Sequence, residues 1–288
     1  MPTLNESAFP LFKSDMNKNV IFVFLFLSFA LSATAQRGWE VGGWLGTSYY
    51  FGDLNTNFNL THPGLAAGAV ARFNFNDRLA LKFGLNYGNI GADDANSSNA
   101  FERARNLNFR SVIYDGSVQF EFNFLPLIYG SPDAAFSPYL FGGFNAFYFN
   151  PQTKYQGTWY DLRPLGTEGQ AKGEEYYTIL GGYVYGIGLK WALGEAWAIN
   201  MEISSRKLST SYLDDVSGVY PNMNTLLHER GPLAVTLSDP SIPAADGSKL
   251  GIPGHQRGTT GQSDTYLFLE FGLVYYFGDL KCPIISGR

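Results

Sequence analysis

One segment of the chain alternates between apolar and polar side chains for more than a dozen residues. From 112 to 124, the even-numbered residues are apolar, aromatic or glycine, and the odd-numbered residues after Ile113 are polar or charged. A strand places alternate side chains on opposite faces, and strands of soluble sheets usually run for about five or six residues. A longer strand fits a tilted crossing of the roughly 25–30 Å hydrocarbon core of a membrane. The pattern therefore predicts transmembrane β-strands.

The same period-two pattern recurs along the chain. Closure into a barrel would be required, because an open sheet edge leaves backbone N–H and C=O groups unpaired in lipid. With the segment at 112–124 there are about eight strands, an even number, as a single-chain barrel needs. We therefore expect an all-β fold, a single closed antiparallel transmembrane β-barrel. The other segments are 39–51, 65–75, 79–88, 139–149, 179–191, 197–204 and 267–277.

Connections between these segments alternate between short and long. Tight turns are predicted at 76–78 and 193–195. In outer-membrane barrels the short turns face the periplasm and the long loops face outward, which predicts periplasmic termini and long extracellular loops. Short ordered elements are predicted within 126–138 and at 225–228 and 233–237. The long connections, rich in Gly, Pro, Asn and Ser, are 52–62, 91–106, 151–177 and 214–262.

The N-terminal region has the features of a cleaved secretory signal peptide. Basic residues precede an apolar run over 20–31, which ends in small residues up to Ala35. That run is too short to span a bilayer as a helix. We expect a signal peptide over 1–35, with Met16 as an alternative start, the barrel over 36–278, and a short periplasmic tail over 279–288.

Composition argues against several classes of function. Charged residues make up 16% of the chain, against about 25% in an ordinary soluble domain. Twenty basic and 25 acidic residues give a net charge of −5, which argues against nucleic-acid binding. One Cys and three His leave little material for a metal centre or His-based catalysis. We expect an integral outer-membrane protein with no enzyme activity and no cofactor.

Charged residues on the predicted inward faces are balanced in sign. An eight-stranded barrel is just wide enough to be filled by its own side chains, and charges buried there must pair. We therefore expect a plugged, salt-bridged lumen rather than a conducting pore. The basic residues are Arg72, Arg78, Lys82, Lys190 and Arg206, and the acidic ones are Glu40, Asp115, Glu121, Glu202 and Glu270.

Few residues outside the predicted strands suggest catalysis, metal binding or a covalent link. His62, His228 and His255 fall in predicted outer loops, where a His228–Asp215 pair is a remote candidate for a surface hydrolase. Asp214, Asp215 and Asp239 could hold calcium, but they lack the regular spacing of a calcium loop. Cys282, in the predicted tail, is either a free thiol or the site of a disulfide to a periplasmic partner.

The last predicted strand resembles the C-terminal signal that outer-membrane assembly machinery recognises. That signal consists of a polar residue, a glycine and two aromatic residues at fixed spacing. Here it is carried by Glu270, Gly272, Tyr275 and Phe277.

Several strings, in their order along the chain, resemble the PorG-type outer-membrane barrel of the type IX secretion system of Bacteroidetes. The resemblance implies a non-enzymatic barrel that takes part in protein transport and gliding motility. Besides outer-membrane lipids, its implied partners are a periplasmic ring of a PorK-like lipoprotein and a PorN-like protein. The periplasmic turns, the tail and Cys282 would then form the docking surface. The strings are GTSYYFGDLN (46–55), EFNF (121–124), FSPYLFGG (136–143), FNP (149–151), GTEGQ (166–170) and YLDDVS (212–217).

The alternative is a generic small outer-membrane barrel, either a narrow channel or an adhesin-like structural protein. Planar-bilayer conductance separates the channel from the plugged barrel, and the remote hydrolase would depend on His228 or Asp215.

Overall fold

A computed structural model describes residues 37–56, 59–60 and 62–278. The predicted signal peptide over 1–35, and the predicted tail over 279–288 with Cys282, lie outside the described residues.

Nine β-strands and three short α-helices make up the described structure. The strands are β1 (Gly38–Phe51), β2 (Gly64–Asn74), β3 (Leu79–Asp93), β4 (Asn108–Asn123), β5 (Phe136–Tyr155), β6 (Thr158–Asp161), β7 (Ile179–Leu193), β8 (Trp197–Leu208) and β9 (Thr265–Gly278). The helices are α1 (Ala100–Arg105), α2 (Met223–Arg230) and α3 (Pro232–Ser238). Single 3₁₀ turns lie at Asp94–Asn96, Pro132–Ala134 and Arg163–Leu165.

Eight of the strands close into an antiparallel barrel. The hydrogen-bonded order is β4-β3-β2-β1-β9-β8-β7-β5, and β5 pairs back with β4. The remaining strand, β6, pairs with the end of β5 as a hairpin beyond the barrel wall. The predicted closed, eight-stranded antiparallel barrel is therefore confirmed.

The two ends of the barrel differ in their connections. Gly38 pairs with Gly278, so the start of β1 and the end of β9 lie at the same end, together with the short connections 75–78, 124–135 and 194–196. We call this the turn end. The opposite, loop end carries the long connections 52–63, 94–107, 156–178 and 209–264. The described parts of those four connections form what we call the cap.

Alternation along each strand separates an apolar outer face from a polar lumen. On β4, Val118 and Phe120 are exposed while Asp115, Gln119 and Glu121 are buried. The apolar outer face of β4 runs from 112 to 122, which corresponds to about 25 Å along the barrel axis for a tilted strand. Large apolar side chains are exposed all around the wall at this height, for example Leu85, Phe144, Ile187, Ile203 and Phe271.

Aromatic side chains mark both edges of this apolar band. On the loop side the rings of Tyr87, Tyr114 and Tyr148 follow one another across β3, β4 and β5, with centroid distances of 5.6 and 6.2 Å. Aromatic rings at the two edges of an apolar band are typical of membrane barrels. The turn side carries the pairs Trp39–Phe73, Phe136–Trp191, Trp197–Tyr275 and Tyr275–Phe277.

Four strands extend by four or more residues beyond the segments predicted from alternation. β3 continues to Asp93, β4 begins at Asn108, β5 continues to Tyr155 and β8 continues to Leu208. In these extensions the outward residues are polar or glycine, while the backbone ladder continues. Hydrophobic alternation ends at the edge of the apolar band, whereas hydrogen bonding does not, so the predicted boundaries were too short.

The short elements predicted in the connections are confirmed. The 124–135 connection holds the 3₁₀ turn Pro132–Ala134, and the 209–264 connection holds α2 and α3. Asn222 caps α2 through its side chain, which accepts from the backbone N–H groups of Asn224 and Thr225. Gly231, with φ 88°, then separates α2 from α3.

No helix among the described residues is long and apolar enough to cross a membrane.

Candidate functional site

The lumen is closed at the turn end by a small apolar plug. Tyr129, from the 124–135 connection, stacks on Tyr276 of β9 with ring centroids 4.3 Å apart. Leu127 and Val274 are buried in the same cluster. The longest of the turn-end connections thus folds back into the barrel mouth.

Above this plug lies a layer of buried charges, which we call the charged belt. Its members come from seven of the eight barrel strands, and all are almost completely buried. They comprise nine of the ten charged residues predicted to face the lumen, namely Glu40, Arg72, Lys82, Asp115, Glu121, Lys190, Glu202, Arg206 and Glu270.

Arg72 is the hub of one half of the charged belt. Its Nε donates to Glu121 at 2.8 Å, its Nη1 donates to Glu40, and its Nη2 lies 3.5 Å from Glu202. The side chains of Arg72, Glu40 and Glu121 are fully buried. One guanidinium therefore neutralises carboxylates from three other strands.

Two lysines complete this half of the belt. Lys82 donates to Glu202 at 2.5 Å, and Lys190 donates to Glu121 and lies 4.0 Å from Glu40. Two of the carboxylates also accept from uncharged donors, Glu40 from Asn74 at 2.7 Å and Glu202 from Tyr139 at 2.6 Å. Such extra hydrogen bonds are what a buried ion pair needs to offset its desolvation.

Arg206 is the centre of the other half. It lies 3.9 Å from Asp115 and 3.5 Å from Glu270, and its guanidinium sits 4.3 Å from the ring centroid of Phe268. Asp115 also accepts from the Tyr266 hydroxyl at 2.8 Å. Amide donors from Asn86 and Asn145 complete the shell of Asp115, at 2.5 and 2.6 Å.

Arg78 is the one basic residue predicted to face the lumen that does not. It lies in the turn between β2 and β3, where its Nη1 donates to the backbone oxygen of Phe124 at 2.6 Å. The prediction was wrong because the strand period does not extend into the turn, so the position of Arg78 is set by turn geometry.

Little free space is left inside the charged belt. A cavity of about 20 Å³ is lined by Trp44, Lys82, Glu202 and Arg206, among others. A volume of this order holds about one water molecule. The arrangement has the character of a filled core.

On the loop side of the belt, aromatic side chains fill the lumen. Tyr50 packs edge-on against Phe109 at 4.7 Å, and Phe147 packs against Phe149 at 5.7 Å. The 209–264 connection contributes Leu213 and Val216, both fully buried in this cluster. The cap is therefore inserted into the barrel mouth by its own apolar residues.

Arg257 joins two segments of the cap. Its side chain is 1% exposed, and its Nη1 donates to Glu168 at 3.1 Å and to the backbone oxygen of Asp215 at 2.6 Å. Its Nε donates to the backbone oxygen of Ser238 at 3.2 Å. Glu168 also accepts from the backbone N–H of Ser217 at 3.0 Å. One buried cation thus joins Glu168 of the 156–178 connection to Asp215 and Ser238 of the 209–264 connection.

A second arginine ties the 94–107 connection into the same layer. Arg105 pairs with Asp94 through two nitrogens at 2.8 and 2.9 Å. It also donates to the backbone oxygens of Asp53 at 2.8 Å and Arg257 at 2.7 Å. Three of the four long connections meet at this one side chain.

Asp215 has a structural environment rather than a catalytic one. It accepts from Thr167 and, at 2.7 Å, from Tyr176, and it lies 3.8 Å from Arg257. Burial raises the pKa of Asp215 to about 6, against the opposing effect of Arg257. The predicted partner His228 lies on the exposed surface of α2, whereas Asp215 is buried. The structure does not bring this pair together.

The predicted calcium ligands are also separated into different interactions. Asp214 accepts from Tyr50 at 2.5 Å, and Asp239 accepts from the backbone N–H groups of Ser241 and Gly251. Among the described residues, no group of three or more His, Cys, Asp or Glu side chains has a metal-binding arrangement.

Several cap carboxyls hold their protons to higher pH than exposed ones. Burial, and then the charge of Asp264, keep the pKa of Asp214 well above its usual range. Burial raises the pKa of Asp264 to about 8, although the Leu213 N–H that it accepts at 2.9 Å acts in the opposite direction. Burial also raises the pKa of Asp53, which accepts from Thr259.

Sequence reasoning missed most of the cap. Arg105 and Arg257 lie in long connections rich in small and polar residues, and the segment 166–170 has only the composition of a turn. The sequence signal that could have identified these cap residues is the presence of charged residues among the small and polar residues of the long connections. Three of the strings that carry the PorG resemblance, 46–55, 166–170 and 212–217, meet here through the Tyr50–Asp214 and Thr167–Asp215 hydrogen bonds.

The residues that resemble the assembly signal all lie on β9. Glu270 and Gly272 face the lumen, and Tyr275 and Phe277 belong to the turn-side aromatic edge. Cys282 lies outside the described residues.

Comparison with known proteins gives a family and a set of similar folds. The family model for a domain of unknown function (DUF6089) matches residues 17–230, and that description does not specify a PorG-type protein. No curated protein matches the chain. Among solved structures, Neisserial surface protein A is 9% identical, with 83% of this chain and 97% of that chain covered and a TM-score of 0.40.

Two further structures show comparable similarity. The Pseudomonas aeruginosa outer membrane protein OprG is 11% identical, with 84% of this chain and 97% of that chain covered and a TM-score of 0.42. Ail, the attachment invasion locus protein of Yersinia pestis, solved with the heparin analogue sucrose octasulfate, is 9% identical. The match covers 85% of this chain and 100% of Ail, with a TM-score of 0.39.

Proposed function

The chain belongs to the DUF6089 family, whose function is unknown, and we propose that it is a plugged outer-membrane barrel that presents a rigid cap at the cell surface. The observation that carries this proposal is the apolar outer band of a closed barrel with a charged lumen. Leu85, Phe120 and Phe144 on the outer face are 72%, 67% and 67% exposed. An apolar surface of this extent is unfavourable in water and suits a lipid environment.

The lengths of the connections support an orientation. Short connections at the turn end fit the periplasmic side, and the long connections of the cap fit the extracellular side. The predicted signal peptide agrees with export across the inner membrane. In this orientation the cap faces the extracellular medium.

The filled lumen favours a structural or binding role over transport through the barrel. The turn-end plug, the charged belt and the aromatic layer occupy successive levels of the interior. A conducting channel would need a continuous polar path.

We expect the full-length protein to show no steady conductance in planar bilayers, because paired side chains fill its lumen. The measurement is single-channel recording after reconstitution, with a known porin as the positive control. Membrane insertion is checked separately by outer-membrane fractionation, resistance to alkaline extraction and heat-modifiable mobility on gels. Steady channels of porin size would contradict the plugged lumen, and loss of the protein from the membrane fraction would contradict the placement.

A second candidate function is an accessory role in type IX secretion. The support is the set of PorG-like strings, three of which lie in mutual contact within the cap. In this proposal the periplasmic turns and the tail dock on a ring of PorK-like and PorN-like proteins. Cys282 would be either a free thiol or the site of a disulfide to that ring.

Clean deletion of the gene is expected to abolish export of proteins that bear a type IX C-terminal sorting domain. Complementation with the full chain should restore export, and a Cys282→Ser variant tests the covalent link. A higher-mass band on non-reducing gels that vanishes with reductant and in that variant would identify a disulfide partner. Normal export in the deletion strain would contradict the secretion role.

A further inference from the structure

A groove lies on the outer wall of the barrel at the loop end, where neighbouring strands differ in length. The β2–β3 pairing ends at Ala66 and Gly88, but β3 continues to Asp93 beside β4. The resulting step holds a groove of about 780 Å³, which we call the rim groove. Its polar lining includes His62, Asn96, Asn108, Arg110, Lys154 and Trp159.

The rim groove lies just beyond the loop-side aromatic edge. Tyr114 belongs to that edge, and Arg110 lies two outward positions further along β4. Four residues of strand span about 13 Å, or about 10 Å along the axis of a tilted barrel. Arg110 is one outward position, or about 5 Å along the axis, beyond Val112, where the apolar face of β4 ends, and the polar headgroup layer extends about 5–8 Å beyond the hydrocarbon core. Side chains in the groove are therefore level with lipid headgroups.

Arg110 is held in place by a ring contact and one side-chain hydrogen bond. Its guanidinium carbon lies 3.8 Å from the ring centroid of Trp159, and its Nε donates to Gln152 at 3.0 Å. Within the described part of the chain, its two Nη groups have no hydrogen-bond partner. A guanidinium held by stacking and by one hydrogen bond is preorganised to bind a phosphate through its remaining N–H donors.

Other groups in the groove suit an anionic, hydroxyl-bearing ligand. Lys154 pairs with Trp159 across β5 and β6 and is exposed to solvent. His62 also lines the groove, and Asp93 is the acidic residue of the lining. A polar pocket of about 110 Å³ adjoins the groove, since both are lined by His62, Asp93 and Asn96. The pocket adds amide and hydroxyl groups, and the carboxyl group of Glu102, beside the cationic wall.

We propose that the rim groove binds the phosphorylated sugar headgroup of an outer-leaflet glycolipid. Arg110 and Lys154 contact the phosphate, and the polar side chains along the open edge of β3 contact sugar hydroxyls. The acyl chains lie along the apolar band below the aromatic edge. This inference rests on the proposed outer-membrane placement, because only that placement puts the groove beside lipid.

The experiment measures binding of a diphosphorylated lipid A to the full-length barrel in detergent micelles. The wild-type protein is compared with Arg110→Gln, Lys154→Gln and the double variant. Lys172→Gln is the matched control, since Lys172 is an exposed cap lysine outside the groove. The double variant is expected to weaken binding about tenfold or more, through loss of charged hydrogen bonds to phosphate. The control is expected to retain wild-type affinity.

Two further arms identify the ligand chemistry. Dephosphorylated lipid A is expected to bind the wild type as weakly as the double variant binds the intact lipid. Millimolar inorganic phosphate is expected to leave lipid binding unchanged, and full competition by it would indicate a free-phosphate site and overturn the proposal. Equal lipid affinity in the wild type and the double variant would also overturn it. Outer-membrane fractionation tests the placement separately, so the two failures are distinguishable.

Discussion

Replacing Arg72 with methionine is expected to lower the free energy of unfolding of the barrel by about 3–5 kcal/mol, the usual cost of breaking a buried ion pair from one side. Methionine keeps much of the side-chain volume but removes the charge. Glu40 and Glu121 would then stand fully buried with Lys190 as their remaining cation. The large effect comes from these two carboxylates, since neither has access to water to replace the lost partner.

Urea unfolding in detergent, followed by heat-modifiable mobility and tryptophan fluorescence, measures this loss. Arg78→Met is the matched control, because Arg78 lies in a turn and donates to the backbone oxygen of Phe124. Adding Glu121→Gln to Arg72→Met should restore part of the stability, since it removes one of the uncompensated charges. If Arg72→Met and Arg78→Met destabilise the barrel equally, the buried ion pairs of the charged belt do not stabilise the barrel.

The barrel could be predicted because its determinants are local. Alternation decides which residues of a strand share a face, so Asp115 and Glu121 could be assigned to the lumen from β4 alone. Their partners could not be assigned in the same way. Arg72 meets Glu121 across 49 residues of chain, and that contact depends on the register of β2, β3 and β4 around the barrel. Balanced charge indicated pairing but not which pairs form.

The cap was beyond prediction for a different physical reason. Its connections have no period that assigns side chains to an inside and an outside. Arg257 and Glu168 are 89 residues apart in sequence. Leu213 and Val216 reach the lumen from a connection that is rich in Gly, Pro, Asn and Ser. Those two apolar residues flank Asp214 and Asp215 in sequence, and the two carboxylates accept from Tyr50 and Tyr176, which lie far away along the chain.

Some interactions join the cap to the barrel wall, and others lie within the cap alone. Tyr50 belongs to β1 and donates to Asp214, so the wall contributes a donor to the cap. The contacts of Arg257, by contrast, all lie within the cap, on Glu168, Asp215 and Ser238. A change at Arg257 should consequently act on the cap without loss of the barrel.

Replacing Arg257 with methionine is expected to open the cap by local unfolding while the barrel stays folded. Glu168 and Asp215 would lose their shared cation, and the backbone oxygens of Asp215 and Ser238 would lose a buried donor. Unpaired buried groups of this kind cost about 3–5 kcal/mol together, enough to raise the open fraction of the cap more than a hundredfold.

Hydrogen–deuterium exchange over residues 209–264 and protease cleavage on intact cells measure this opening. Both should rise strongly in Arg257→Met and stay at wild-type levels in Arg103→Met, where an exposed α1 arginine is removed. Heat-modifiable mobility should be unchanged in both variants, because the strand pairing does not involve either residue. Wild-type exchange in Arg257→Met would show that the buried Leu213 and Val216 hold the cap closed without the arginine.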